Sequence, residues 1–213
     1  MTKFIIVRHG NSASNVDKTY TGHIDSPLSE VGKLQAQRVC EYLFENFKID
    51  SIYSSDLIRA IDTVAPLAKK LKKEIITDVE LRELYGGKWE GLKFLDLPDL
   101  FPKDYKVWVE NVGFARPTGG ESYPELQARA VHAIKKIAKE QDGKTVVVST
   151  HGGLIRALQC AVCGVDLSEM QNVPYVVNAS ISTFLCGGEN FTNGVFDFNE
   201  YLEGLYTSMP KGI

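Results

Sequence analysis

The chain has 213 residues, 44% hydrophobic and 24% charged, with a formal net charge of −3 and an isoelectric point near 5.8. This is an ordinary globular balance, with enough apolar material for one compact α/β domain. A mildly acidic chain without a basic block is a poor partner for nucleic acid or an anionic membrane, so any anion it handles must meet a local cluster of cations.

The opening Met1-Thr2-Lys3-Phe4-Ile5-Ile6-Val7-Arg8 carries an apolar run too short for a secretion signal. No stretch reaches the ~20 apolar residues of a membrane span, and a cytoplasmic protein is expected. Residues 4–7 read as a short apolar strand. Residues 29–46 place Val31, Leu34, Val39, Tyr42 and Leu43 at helical spacing. Ile52 and Tyr53 begin a second strand that ends at Ser54-Ser55-Asp56, with Asp56 as the expected N-cap of a helix reaching about Lys72. Residues 74–77 are expected to form a third strand. The segment 92–117 holds Phe94, Phe101, Tyr105, Trp108 and Phe114, broken by Pro98 and Pro102. It is too apolar for a linker and is expected to be an inserted helical cap.

Residues 121–141 carry Leu126, Ala130, Ile134, Ile137 and Ala138 on one helical face, with Glu121 and Ser122 as candidate caps. Residues 145–149 form a β-branched strand, and Gly152-Gly153 opens the next helix. Residues 182–186 and 195–198 are expected to close the sheet as an antiparallel pair around Gly187-Gly188. Strands separated by helices predict an α/β fold in one domain over 1–213: a three-layer α/β/α sandwich with a mostly parallel sheet.

In such sheets ligands bind beyond the carboxyl ends of the strands. Arg8, His9 and Gly10 follow the first strand. Asp56 and, one turn later, Arg59 follow the second. Thr150, His151 and Gly152-Gly153 follow the strand at 145–149. Two arginines and two histidines at one sheet edge, with helix N-termini beside them, make an anion pocket of phosphate size. Buried arginines without an anion would be costly, so their clustering implies one. A histidine is largely unprotonated at neutral pH and so competent as a nucleophile, and Gly10 would let backbone approach a ligand. Taken singly, a histidine after a strand is more often structural, and Arg8-His9-Gly10 is a weak string. The weight lies in their co-occurrence. Cys160 and Cys163 form a C-x-x-C within an apolar helical pattern, with no second pair at zinc spacing. Both, like Cys40 and Cys186, read as packing residues.

Seven blocks in order resemble the histidine phosphatase superfamily, which includes the cofactor-dependent phosphoglycerate mutases. They are Val7-Arg8-His9-Gly10-Asn11-Ser12-Ala13-Ser14-Asn15; Gly22 to Gly32 with Gln35-Ala36; Tyr53 to Thr63; Leu81-Arg82-Glu83-Leu84-Tyr85 to Gly91; Gly119-Gly120-Glu121-Ser122; Ser149-Thr150-His151-Gly152-Gly153; and Asn178-Ala179-Ser180-Ile181. Ser12 stands where many members have threonine and keeps the hydroxyl. The resemblance implies that His9 is phosphorylated, that Arg8, Arg59 and His151 hold the phosphate, and that Glu83 is the general acid/base. Asn15 supports the substrate or phosphate. Ser12, Thr21, Gly22, Gly152 and, from the insertion, Arg116 complete the candidate binding set.

The implied chemistry is in-line attack by His9 while Glu83 protonates the leaving oxygen, followed by attack of water with Glu83 as base. The arginines and a protonated His151 would meet the equatorial charge. Step one needs Glu83 protonated, a state that a nearby phosphate dianion favours. No metal or cofactor is expected. His23 stands between the pocket mouth and simple exposure, His132 reads as solvated, Trp89 as packing, and Glu90 as a weaker rival for the acid. Ser122 could reach the pocket.

The mutases carry an Arg-His-Tyr run after the acid and paired arginines in the insertion. Here Glu83 is followed by Leu84-Tyr85-Gly86-Gly87, and the insertion offers Arg116 with Lys93, Lys103 and Lys106. The broad-phosphatase branch is therefore favoured, acting on a small phosphorylated metabolite. The mutase, with 2,3-bisphosphoglycerate as its cofactor, is the alternative. A non-catalytic phospho-ligand sensor would lack the nucleophile or acid, and a dinucleotide oxidoreductase would need a G-x-G-x-x-G turn after the first strand. A homodimer is compatible with all of this.

Overall fold

The computed structural model describes residues 1–192 and 194–207. Strands β1 (Thr2–Arg8), β2 (Ser51–Ser54), β3 (Ile75–Thr77) and β4 (Thr145–Thr150) run parallel, while β5 (Ile181–Gly187) is antiparallel to β1 and β6 (Asn190–Thr192) to β5. The sheet order is β3-β2-β4-β1-β5-β6, so β4 enters between β2 and β1.

The central strands are apolar throughout because both faces are covered. On β1, Phe4 and Ile6 join a core with Val146 and Val148 of β4, Ile134 and Ile137 of α6 (Tyr123–Glu140), and Ile155 and Leu158 of α7 (Gly152–Cys163). Ile5 and Val7 point the other way. They pack with Val147 against Val39 and Leu43 of α2 (Glu30–Asn46) and Val64 and Leu67 of α3 (Ile58–Leu71). Alternate side chains thus serve opposite layers, each fully buried aliphatic contributing about 1.5–3 kcal/mol. Ser29 caps α2 by accepting the Gly32 N–H, and Ser122 with Glu125 forms a reciprocal capping box on α6. Between β1 and α2 lies the four-residue α1 (Ala13–Val16), capped by Ser12.

The segment 92–117 is helical, with α4 (Leu97–Leu100) and α5 (Pro102–Glu110) flanked by 3-10 turns. Its Leu97, Trp108, Val112 and Ala115 are buried against Trp89, Tyr123 and Leu154. No helix among the described residues is long and apolar enough to cross a membrane.

Three sequence expectations need correction. Asp56 does not cap α3. The N-cap position is Leu57 without a side-chain bond, and the Ile58 N–H is met from another loop by Asp25 Oδ1 at 2.8 Å. Asp56 instead accepts from Arg82 Nε at 2.6 Å. Residues 195–198 are not a strand, although Phe198 bridges to Ile181. Gly188, at φ 59°, permits a tight turn, so pairing resumes directly at β6. Cys163, the last residue of α7, is exposed, whereas Cys40, Cys160 and Cys186 are buried.

Candidate active site

The β1–β4 register brings the strand ends together. Arg8 pairs with Thr150, so His9 and His151 leave neighbouring parallel strands at one level, with ring centroids 5.2 Å apart. The His9 backbone is pinned by its N–H to Thr150 O at 2.8 Å and by Asn178 Nδ2 and Ala179 N on its carbonyl at 3.0 and 3.2 Å. Its Nδ1 lies 2.7 Å from Gly10 O. A carbonyl only accepts, so Nδ1 carries the proton and Nε2 is left with a bare lone pair. Burial, with Arg59 and Arg8 alongside, holds the imidazole well below the ordinary histidine range, so His9 is neutral at pH 7.

Arg8 and Arg59 are both buried and both line the pocket. Arg8 Nη1 donates to Val176 O at 2.6 Å. Arg59 Nη2 donates to Thr21 O and Gly22 O at 3.0 and 2.8 Å, and Nη1 to Ile24 O at 3.0 Å. These carbonyls orient the guanidinium without neutralising it. Gly22 serves through its carbonyl, and a Cβ there would lie 2.2 Å from Leu84 O. The close approach at Gly10 is to the backbone of Gly32, not to a ligand space, which corrects the expected role.

Glu83 lines the same pocket. Its carboxylate accepts the backbone N–H groups of Leu84, Gly153 and Leu154 at 2.9, 3.0 and 3.2 Å. The N-terminus of α7 therefore holds the acid rather than standing open for phosphate as the sequence suggested. Arg129 of α6, a residue the sequence reading missed, clamps this segment from behind. It donates to the carbonyls of Glu80, Arg82 and Glu83 and forms a two-pronged pair with Glu121. Glu121 is thus an anchor for Arg129 and not a helix cap.

His151 is fully buried beside His9 and does not itself line the open pocket. Burial, then Arg59, His9 and Arg8, push its imidazole well below the ordinary value. It is neutral without a bound phosphate; the protonated form expected from sequence belongs to the phosphate-bound site. Its Nε2 lies 2.8 Å from Ser55 Oγ.

The pocket holds a cavity of about 80 Å³ and is partly open to solvent. Asn15, Ser12 and Thr21 line it as expected. Asn15 Oδ1 accepts from the Ser12 N–H and Asn178 Nδ2, and Thr21 Oγ1 donates to Ser14 Oγ. Gly152 lies against Arg8 and Tyr175, where a Cβ would be 3.2 and 3.0 Å away. Tyr20, Phe94, Trp108, Tyr123 and Tyr175 form an aromatic wall. The Tyr123 and Tyr175 hydroxyls are 3.1 Å apart, and burial raises both phenols so they stay neutral. Lys18, at φ 53°, also lines the pocket. Tyr20, Tyr123, Tyr175 and Lys18 escaped the sequence reading because loops far apart in the chain bring them in.

Arg116 does not belong to the site. It is half-exposed and held by Gly120 O at 2.9 Å and Glu125 at 2.7 Å. Glu125 is fixed in the α6 capping box, so it draws Arg116 there; that pairing with Ser122 also keeps Ser122 from the pocket. Glu90 does not line the pocket as Glu83 does; its carboxylate accepts the N–H groups of His23, Ile24 and Gly86. His23 sits against the acid segment, Nε2 donating to Glu83 O at 2.9 Å. His132 is on the surface beside Glu80, and Trp89 is buried in the cap core. Among the described residues no three His, Cys, Asp or Glu side chains gather as metal ligands would.

A neutral imidazole with a free Nε2, two buried arginines and a carboxyl group lie together at one sheet edge, the groups a phosphoryl transfer would need. The family model described as the histidine phosphatase superfamily (branch 1) matches residues 4–196, and the chain belongs to that superfamily. The chain is 35% identical over 204 residues to phosphoglycerate mutase-like protein 4 of Arabidopsis thaliana, covering 94% of this chain and 87% of that one. It is 35% identical over 169 residues to phosphoserine phosphatase 1 of Hydrogenobacter thermophilus, covering 79% and 80%. The solved structure of Bacillus stearothermophilus YhfR superposes with a TM-score of 0.90 at 28% identity, covering 95% of this chain and all of that one. With phosphatases among such relatives, the chain is a phosphomonoester hydrolase of this family.

Proposed function

We propose that the protein is a metal-independent phosphatase that releases inorganic phosphate from a small phosphorylated metabolite through a phosphohistidine on Nε2 of His9. The observation that carries this is the His9–Gly10 contact, which commits the only proton of a neutral imidazole to Nδ1 and leaves Nε2 as a lone pair in a pocket with two arginines. Nε2 attacks phosphorus and the P–O bond to the alcohol breaks, with Glu83 delivering a proton to the departing oxygen. Water then attacks the phosphohistidine, and Glu83 takes back its proton. Arg8 and Arg59 meet the equatorial charge. Incubation with 4-nitrophenyl phosphate in the presence of EDTA should release phosphate, and His9→Ala should lower the rate by at least about 10³-fold. Full activity in that variant would sink the mechanism.

The phosphatase reading is preferred to the mutase. A mutase must exclude water from its intermediate, and this pocket is partly open. Arg116, the arginine the insertion could have offered to a second anion, is tied to Glu125. Rapid interconversion of 3- and 2-phosphoglycerate in the presence of 2,3-bisphosphoglycerate would reverse the preference. Lys18 has no ion pair among the described residues, and it supports a substrate whose alcohol carries a carboxylate, as phosphoserine does. A cytoplasmic location is part of the same proposal and is supported by four unbridged cysteines.

A further inference from the structure

The hydrogen-bond partners of His151 bear on how the phosphoryl group is received, a matter beyond the attack step. Ser55 and His151 are both fully buried. The Ser55 N–H is committed to Ser149 O at 2.9 Å. Among the described residues Ser55 Oγ accepts the Leu57 N–H at 3.3 Å and otherwise meets only His151 Nε2, at 2.8 Å. His151 Nδ1 has no hydrogen-bond partner among the described residues.

Two arrangements are open. If Nε2–H donated to Ser55 Oγ, the serine O–H would have no acceptor and the Nδ1 lone pair would be bare, two buried polar groups left unmet at about 1–3 kcal/mol each. A bare lone pair would also repel a phosphoryl oxygen. If the serine O–H donates to Nε2, one group is left over, the Nδ1–H. That is a donor, on a ring 5.2 Å from His9, and a phosphoryl oxygen is the acceptor it lacks.

We infer that Ser55 fixes His151 in its Nδ1–H tautomer, so that this nitrogen donates to the phosphoryl group carried by His9. Ser55 is then a positioning residue, acting through the imidazole and not on the substrate. The donation to phosphate rests on the phosphohistidine reading, whereas the tautomer does not.

The test is ¹⁵N NMR of histidine-labelled resting enzyme, with His151 assigned by comparison with His151→Gln. A pyrrole-type Nδ1 and a pyridine-type Nε2 are expected, and the reverse pattern overturns the inference. In Ser55→Ala the Nδ1–H preference should be lost and kcat should fall about 10–100-fold with little change in KM. Ser55→Thr should restore both. Retention of the tautomer and of kcat in Ser55→Ala also overturns the inference. Because the tautomer is read without substrate, the two readings fail separately. The expected tautomer without phosphate release would defeat the phosphatase, and release with the reverse tautomer would defeat the role of Ser55.

Discussion

Glu83 Oε2 accepts the backbone N–H of Gly153 at 3.0 Å, at the first turn of α7. With Leu154 and Leu84 also donating, the carboxylate is held by main chain, whose positions do not depend on any rotamer. A Cβ at residue 153 would stand 2.5 Å from Glu83 Oε1. The atom it meets is the end of a flexible side chain, so Gly153→Ala should fold normally yet displace the acid. The expected result is a kcat loss of about 10–100-fold toward alkyl phosphates with KM nearly constant. Unchanged kcat in steady-state kinetics would show that the acid does not need this position.

Glu83→Gln keeps the shape and removes the proton. Activity toward an alkyl phosphate should fall about 10²–10⁴-fold. Loss toward 4-nitrophenyl phosphate should be much smaller, because nitrophenolate departs without protonation. Rates across phenyl phosphates of graded leaving-group acidity should steepen in the variant. An equal loss on every substrate would place Glu83 outside proton transfer.

Lys18→Ala tests the carboxylate. Phenyl phosphate and 4-carboxyphenyl phosphate differ by one anionic group, and the wild type should favour the second by roughly tenfold in kcat/KM, as a charged hydrogen bond of about 1.5–3 kcal/mol allows. The variant should lose that preference and keep its rate on phenyl phosphate. Arg116→Ala should change neither, since that guanidinium is held by Glu125 outside the pocket.

The two buried imidazoles also set a pH dependence of stability. Burial, with the arginines beside them, depresses both His9 and His151. Between pH 7 and about 5.5 the unfolded chain therefore takes up protons that the folded protein refuses, and stability falls as pH falls. Each histidine adds a slope of at most about 1.4 kcal/mol per pH unit. Urea midpoints should drop over this range, and His151→Gln should flatten the trend. A midpoint that rises on acidification would contradict neutral buried rings.

Much of this site could be read along the chain because its chemistry sits at strand ends. Arg8-His9 and Thr150-His151 each end an apolar β-run, and that local pattern alone places them at the carboxyl edge of a parallel sheet. Arg59 follows the second strand by one helical turn, and the family blocks add Glu83. What failed were assignments that depended on a side-chain partner outside the local strand or helix pattern. Asp56 looked like a cap but met Arg82, Arg116 looked free but met Glu125, and the N-terminus of α7 looked open but met Glu83.

By itself the sequence determined the layers, because strands buried on both faces must be apolar throughout and amphipathic helices must cover them. It also placed His9 and His151 with Arg8 and Arg59 at strand ends for local reasons, while the resemblance supplied the expectation that His9 is the nucleophile. The strand order was left to the tertiary structure. Only the insertion of β4 beside β1, with Arg8 level with Thr150, makes neighbours of two histidines 142 positions apart. The charge states followed from that assembly too, since each imidazole is kept neutral by its burial in the folded protein and by Arg59, which comes from another strand end and joins Arg8 there.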